Sequence, residues 1–210
     1  MKNKFIQTAV FVILIVLSPW FWVISKNYKE LRNTKLELID INSDRYLTQI
    51  NFYQSEANKK GLGIIGKLLV NKITFRVKEY SVRFIESYDL NYLFLEGDLD
   101  YKKSTRSNGP LYFSLFPIII FGFINLYKQK NKLYLFIYFL PVISINFQQH
   151  FETLSRLPFI IGLTYIASVG TVKLYSLKKA KTVRTIYLFV LLFDILRFFH
   201  YFYFHYPSLI

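Results

Sequence analysis

Five apolar segments, each free or nearly free of charge, constrain this chain more than any other feature of its sequence. They cover residues 5–24, 111–127, 133–147, 157–175 and 185–206. A helix needs roughly 17 to 25 apolar residues to cross a hydrocarbon core of about 30 Å, and each segment approaches or reaches that length. The segments therefore predict an all-α integral membrane protein with about five transmembrane helices.

Basic residues are concentrated at alternate ends of these segments. Ten basic residues and no acidic residue lie before the first segment, between the second and third, and around the turn between the fourth and fifth. They are Lys2, Lys4, Lys128, Lys130, Lys132, Lys173, Lys178, Lys179, Lys181 and Arg184. The opposite ends carry only Glu152 and Arg156. Because short cytoplasmic loops are enriched in Lys and Arg, we expect a multi-pass cell-membrane protein with its N-terminus in the cytoplasm and its C-terminus outside.

This topology divides the chain into three parts. Residues 1–25 form the first transmembrane helix, residues 26–110 an external segment of amphipathic helices, and residues 111–210 a four-helix transmembrane region. The formal net charge of +14 would otherwise suggest nucleic-acid binding. Here the basic residues are split between both sides of the membrane, so no single basic patch forms and no nucleic-acid partner is expected.

The N-terminus and the cysteine count narrow the class further. The basic start MKNK precedes an apolar stretch, as in a signal peptide, but the stretch continues into Ser18-Pro19-Trp20-Phe21-Trp22 without a small-x-small cleavage site. We therefore expect a retained helix. The chain has no cysteine, which excludes disulfides and thiolate metal sites.

Local patterns divide the external segment. Residues 36–41 largely alternate apolar and polar side chains, which predicts a short strand, and Ser43 opens a predicted helix through about Ala57. After Gly63, apolar residues recur every three or four positions with basic residues between them, as in helices that lie in the membrane interface. These apolar residues are Ile64, Ile65, Leu68, Leu69, Ile73, Val77, Tyr80, Phe84 and Ile85.

A more specific stretch follows Tyr88. It contains Tyr92-Leu93-Phe94-Leu95-Glu96-Gly97-Asp98, then Lys102-Lys103-Ser104-Thr105, then Gly109-Pro110-Leu111-Tyr112 before an apolar segment with Pro117. This order resembles bacterial membrane glycosyltransferases of the GT-C type, relatives of protein O-mannosyltransferases and aminoarabinose transferases. Their corresponding stretch has an aromatic "FLF-x-GD" turn, a basic pair and a "G-x-LY" helix start. Leu93 and Leu95 stand where that family tends to have Phe.

The resemblance extends over most of residues 19–170, including Pro19-Trp20, Asn71-Lys72, and His150 followed by Arg156 at a wider spacing than usual. It implies a transferase that moves a sugar from a polyprenyl-phosphate donor to an external acceptor by an inverting displacement. In such enzymes a carboxylate in the first external loop acts as base and helps hold a divalent cation. This chain resembles only the C-terminal half of such an enzyme. The resemblance therefore implies a fragment that is inactive alone and that comes from a split gene, a truncated gene model or a two-chain enzyme, in which a separate N-terminal half chain would be its partner.

Candidate site residues lie in two places. Glu96, Asp98 and Asp100 form an acidic turn beside Lys102, Lys103 and Arg106, where carboxylates could hold a cation and bases a lipid phosphate; alternatively the charges of a solvated loop satisfy each other. His150 and Arg156 precede a helix start that could grip a phosphate, or Arg156 is an interfacial anchor. The catalytic residues are unknown, no metal site is predicted, and the chain itself implies no cofactor.

Two charged residues and two histidines lie within the last apolar segment. Asp194 and Arg197, three residues apart, are either a functional intramembrane site or, more simply, a mutually neutralising pair. His200 and His205 do not share a helical face well enough for a metal pair and are expected to be interfacial.

Two other functions stay open. One is a non-catalytic membrane subunit or scaffold that docks on another membrane protein. The other is a transporter, for which several polar groups should line a path through the helices, whereas Asp194 is the only acidic residue within a predicted span.

Overall fold

The structure is a computed structural model that describes residues 2–32, 40, 43–145 and 153–208. Helices make up 77% of it and no strand occurs in these ranges, which confirms the all-helical class. The strand predicted at residues 36–41 lies outside the described residues, apart from Asp40, which has no regular structure. In chain order the α-helices are α1 Lys2–Leu17, α2 Pro19–Lys26, α3 Tyr28–Leu31, α4 Asp44–Lys59, α5 Gly63–Leu69, α6 Lys72–Glu86, α7 Leu115–Lys128, α8 Leu133–Phe139, α9 Pro141–Ser144, α10 Thr153–Ser176 and α11 Lys181–Phe204.

Helix α10 lies at the centre of the bundle. α7 and α1 both pack along it, and the main core includes Ile160, Ile166 and Ala167 of α10, each completely buried. Close approach is possible because Gly122 of α7 and Gly170 of α10 face the partner backbone. Small residues permit this close contact between apolar helices.

Prolines interrupt two of the predicted spans. The first predicted span is two helices, α1 and α2, which meet at 53° where Ser18 precedes Pro19. Pro141 likewise separates α8 from α9. Proline lacks a backbone N–H and its ring clashes with the preceding turn, so an apolar segment that contains it need not be one helix.

Length limits the number of spans. In the part of the chain that the structure describes, α10 alone is a single helix long and apolar enough to cross a bilayer, and the bent pair α1–α2 raises the number to two. Helix α7 begins at Leu115, not Leu111, and its 14 residues extend about 21 Å. This is less than the roughly 30 Å hydrocarbon core. Five full-length transmembrane helices are therefore not confirmed.

In the segment predicted to be external, the helices α3 to α6 precede the short π-helix Asn91–Leu95, and residues 96–110 form no helix. α4 begins after Ser43, as the sequence predicts, and α6 begins with a capping box in which the Asn71 side chain accepts the N–H groups of Ile73 and Thr74. On α5 and α6 most of the predicted apolar residues point outward; Ile64 and Ile73 are 79% and 75% exposed. A smaller core of Tyr46, Phe75 and Tyr80 joins α4 to α6.

Candidate functional site

The segment between the short π-helix Asn91–Leu95 and α7 folds into a compact loop, which we call the outer loop (residues 96–114). Leu111 N–H donates to the Leu93 carbonyl at 3.0 Å, and Ser104 Oγ donates to the Glu96 carbonyl at 2.9 Å. Gly97 has φ +76°, a left-handed conformation that favours glycine. The three separate pieces of the resemblance, at residues 92–98, 102–105 and 109–112, therefore form one structural unit.

Asp98 ties this loop to the start of α10. One carboxylate oxygen accepts the Thr153 N–H at 2.8 Å, and the other accepts the Asp100 N–H at 3.0 Å. The Thr153 N–H belongs to the first residue of α10 and has no acceptor within that helix, so the carboxylate satisfies it and complements the helix dipole. Burial raises the pKa of Asp98 above its ordinary value, although both backbone hydrogen bonds and Lys103 oppose that shift.

Arg156 lies in the first turn of α10 and is 3% exposed. Its guanidinium carbon is 4.8 Å from the centroid of the Tyr92 ring, a cation–π distance. The carboxylates of Glu86 and Asp98 also interact electrostatically with this guanidinium. Arg156 is thus a buried group inside a charged cluster, not an arginine exposed at the interface.

Tyr92 completes this cluster. Its hydroxyl donates to Thr153 Oγ1 at 3.4 Å, and burial raises the pKa of Tyr92. A neutral phenol, a carboxylate and a guanidinium are therefore packed around the N-terminus of α10. We call Tyr92, Asp98, Thr153 and Arg156 the outer cluster.

The three bases of the turn have different environments. Lys102 Nζ lies 2.6 Å from Glu30 Oε2, and this hydrogen bond raises the pKa of Lys102. Lys103 is buried, with its Nζ 3.7 Å from Asp100 Oδ2. The Arg106 guanidinium lies 4.9 Å from the Tyr101 ring centroid and is exposed. The turn is thus not solvated throughout, since Asp98 and Lys103 are inside it while Glu96, Asp100, Lys102 and Arg106 remain at the surface.

Asp194 and Arg197 do not neutralise each other as the sequence spacing suggested. Each holds a different part of the outer loop: Asp194 Oδ2 accepts the Ser114 N–H at 2.8 Å, and Arg197 Nη2 donates to Asn108 Oδ1 at 2.9 Å. Within the described ranges no ion pair joins the two. The physical reason is that Ser114, just before α7, offers a backbone N–H with no helical acceptor.

A further connection joins the two ends of the chain to this loop. Asn27 Nδ2 donates to the Lys102 carbonyl at 2.9 Å and to Tyr206 Oη at 2.7 Å, while Tyr206 Oη donates to the Tyr101 carbonyl. Lys26 Nζ lies 4.8 Å from the Tyr206 ring centroid. The residues just after α2 and α11 therefore hold the same part of the outer loop, at Tyr101 and Lys102.

Open space at this end is small. A cavity of about 10 Å³ lies between α2 and the outer loop, lined by Trp20, Lys103, Asn108 and Thr153 among others. That volume suits a single water and no larger ligand. Among the described residues no three His, Asp or Glu side chains come together as a metal site.

The histidines add little to this end. His150 lies outside the described residues. His200 and His205 are exposed, with ring centroids 5.6 Å apart.

Sequence reasoning missed several residues of the site. Asn27, Asn108, Ser114 and Tyr206 carry its long-range hydrogen bonds, and no local pattern marks them. Thr153 had a usable signal, because a Thr three residues before Arg156 at the start of an apolar run is typical of a helix N-terminus.

Comparison with protein-family models, with curated proteins and with solved structures gave no match.

Proposed function

We propose that this chain is the membrane-embedded C-terminal part of a polyprenyl-phosphate-sugar-dependent glycosyltransferase. The observation that carries the proposal is the convergence of the three resemblance pieces and Arg156 at one end of the bundle. Asp98 contacts Thr153, and Tyr92 contacts Arg156, at this end, although each pair is at least 55 residues apart in sequence. An order of motifs that folds into one unit is better explained by a shared task than by unrelated coincidences in sequence.

Residence in a bilayer is part of this proposal. Apolar side chains point outward on α1, α5, α6 and α11, and Phe5, Ile64, Ile73 and Phe189 are each more than 70% exposed. A water-soluble monomer rarely exposes large contiguous apolar patches. Contact with lipid accounts for the outward apolar side chains on all four helices, and α5 and α6 lie in the membrane interface. In this arrangement the two short helical regions, α7 and α8–α9, cross the bilayer together with their flanking residues.

Within the proposal, the residues have distinct roles. The outer cluster positions the loop, because Arg156 is buried against Tyr92 and already faces two carboxylates. Arg106, exposed on the same loop, is the basic group open to an anionic donor. An arginine can bind a phosphate bidentately, which a lysine cannot reproduce.

The test is donor binding and transfer by the 210-residue chain in proteoliposomes. A polyprenyl-phosphate sugar should bind and quench tryptophan emission, since Trp20 lines a small cavity beside the outer loop. No sugar should be transferred without the N-terminal half. Arg106→Lys should weaken binding, and Arg106→Gln should weaken it further, by roughly 1.5 to 3 kcal/mol. Lys29→Gln, an exposed base on α3, is the matched control.

Absence of donor binding by the folded chain would remove the glycosyltransferase proposal. The second candidate, a scaffold that docks on another membrane protein, would then be favoured by the same outward apolar residues. Turnover by the chain alone would contradict the assignment of the catalytic carboxylate to another part.

A further inference from the structure

A large groove lies at the opposite end of the bundle from the outer loop. Its volume is about 1080 Å³, at the upper limit of the roughly 300 to 1,000 Å³ that is usual for ligand sites. The groove runs between α1, α7, α10 and α11. Nothing in the glycosyltransferase proposal uses this space.

The groove is amphiphilic along its length. Val10 and Leu14 of α1, Val169 of α10 and Leu191 of α11 line its apolar part. Where the groove reaches the end of the bundle its lining includes polar side chains, among them the amides Gln129 and Asn131 of the turn after α7. An apolar wall that ends in hydrogen-bond donors is suited to a hydrocarbon chain with a polar head.

Charge at the mouth of the groove has one sign. Lys4 of α1 and Lys173 of α10 both line it, and none of the described residues that line it is acidic. The turn between α7 and α8 and the turn between α10 and α11 bring the other basic residues of the sequence pattern to the same end of the bundle. Basic pockets between membrane helices favour anionic lipid head groups.

We propose that this groove is a binding site for an anionic glycerophospholipid, with its phosphate between Lys4 and Lys173 and one acyl chain along α10. The occupant is a lipid of the bilayer, not a soluble anion, because most of the groove beyond the two lysines is apolar. The proposal depends on residence in a bilayer and not on glycosyl transfer. The donor assay reads the other end of the bundle, so the two proposals can fail separately.

The experiment uses the full chain in phosphatidylcholine vesicles that contain a small fraction of photoactivatable lipid, either phosphatidylglycerol or phosphatidylcholine, with the reactive group on the acyl chain. Cross-linked peptides are mapped by mass spectrometry. Phosphatidylglycerol should label residues of the groove, such as Val169 and Leu191, about fivefold or more over phosphatidylcholine. Excess inorganic phosphate should leave that ratio unchanged.

Two double variants remove equal charge from the same end of the bundle. Lys4→Gln with Lys173→Gln should bring the labelling ratio close to one. Lys128→Gln with Lys179→Gln, which does not touch the groove, should keep most of the enrichment. Val172→Trp, which fills the groove from α10, should reduce labelling by both lipids there. Unchanged emission of Trp20 and Trp22 shows that each lysine variant keeps its fold. For Val172→Trp, which adds a third indole, an unchanged far-UV circular dichroism spectrum is the corresponding control.

Three results would overturn the proposal. One is equal labelling by the two lipids in the wild type, or none in the groove. The second is an equal loss of enrichment in both double variants, which would show attraction to the whole basic surface. The third is displacement by inorganic phosphate, which would identify a site for a free anion.

Discussion

At the scale of single residues, two buried aspartates serve as caps for helices to which they do not belong. Asp98 accepts the first N–H of α10, and Asp194 of α11 accepts the N–H just before α7. Asp98 is 55 residues from its donor in sequence, and Asp194 is 80 residues from its donor. Backbone groups that a local side chain usually satisfies are satisfied here by tertiary contacts, so the order of the helices and the order of the loop depend on each other.

Asp194 offers a direct test of this capping. Asp194→Ala should lower the free energy of unfolding by about 1 to 3 kcal/mol, since the buried Ser114 N–H loses its acceptor. Asp194→Asn keeps an oxygen in place and should cost less. Thermal unfolding in detergent measures both, with Thr185→Ala, an exposed position on the same helix, as the control. Equal stability of Asp194→Ala and the wild type would show that the hydrogen bond contributes nothing.

Asp98 should make stability depend on pH. Burial raises the pKa of Asp98 in the folded chain above 3.8, the ordinary value that we take for the unfolded chain. The folded chain therefore binds this proton more tightly than the unfolded chain does. Stability from this group is therefore greatest below about pH 4 and decreases as the pH rises toward the folded pKa. Asp98→Asn removes the titration.

The measurement is the melting temperature of both proteins as a function of pH from about 4 to 7. The wild type should lose more stability over this interval than Asp98→Asn, even if the variant is less stable throughout because its amide cannot accept both N–H groups. Parallel curves would show that burial does not perturb this carboxyl.

At the scale of helices, the contact between α7 and α10 depends on two glycines. A Cβ added at Gly122 would lie 2.2 Å from the Ile166 carbonyl oxygen, and one at Gly170 would lie 2.2 Å from the Ile118 carbonyl oxygen. Both neighbours are backbone atoms and cannot rotate away. The helices would have to move apart.

Gly122→Ala and Gly170→Ala should each destabilise the fold by roughly 1 to 3 kcal/mol. Gly162→Ala, on the same helix as Gly170 but facing α8, is the matched control because its nearest atoms belong to the side chains of Ile137 and Leu140, which can shift. Unfolding in detergent ranks the three variants. A larger loss at Gly162 than at Gly122 and Gly170 would contradict the close helix contact.

Some of the helices could be predicted from the sequence, and some features of the helices could not. Ser43 and the apolar runs correctly predict α4, α10 and α11, because caps and hydrophobic length act locally. The helix breaks at Pro19 and Pro141 do not follow from hydrophobic length, because length alone predicts one helix for each apolar run. The predicted pairing of Asp194 with Arg197 is wrong because a three-residue spacing describes positions on one helix only. It contains no information about Ser114 and Asn108, which bind these two side chains instead.

At the scale of the whole molecule, the predicted topology is a separate question from the fold. The chain has no cysteine, so single cysteines can report exposure without background. Leu99→Cys in the outer loop should react with an impermeant reagent in intact cells, whereas Lys128→Cys and Lys179→Cys should react only after the membrane is opened. All three side chains are exposed in the structure, so differences in reactivity report the side of the membrane. Reaction at position 128 in intact cells would reverse the predicted orientation.

The hydrogen bonds from Asn27, Asp194, Arg197 and Tyr206 to the outer loop have a consequence for synthesis. Asp194, Arg197 and Tyr206 follow their partners in the loop by 80, 89 and 105 residues, so the loop is synthesised well before these groups. During translation the loop therefore lacks these hydrogen bonds until α11 and Tyr206 emerge. A chain truncated before Asp194 can form α1 to α10 but leaves the outer loop without these partners.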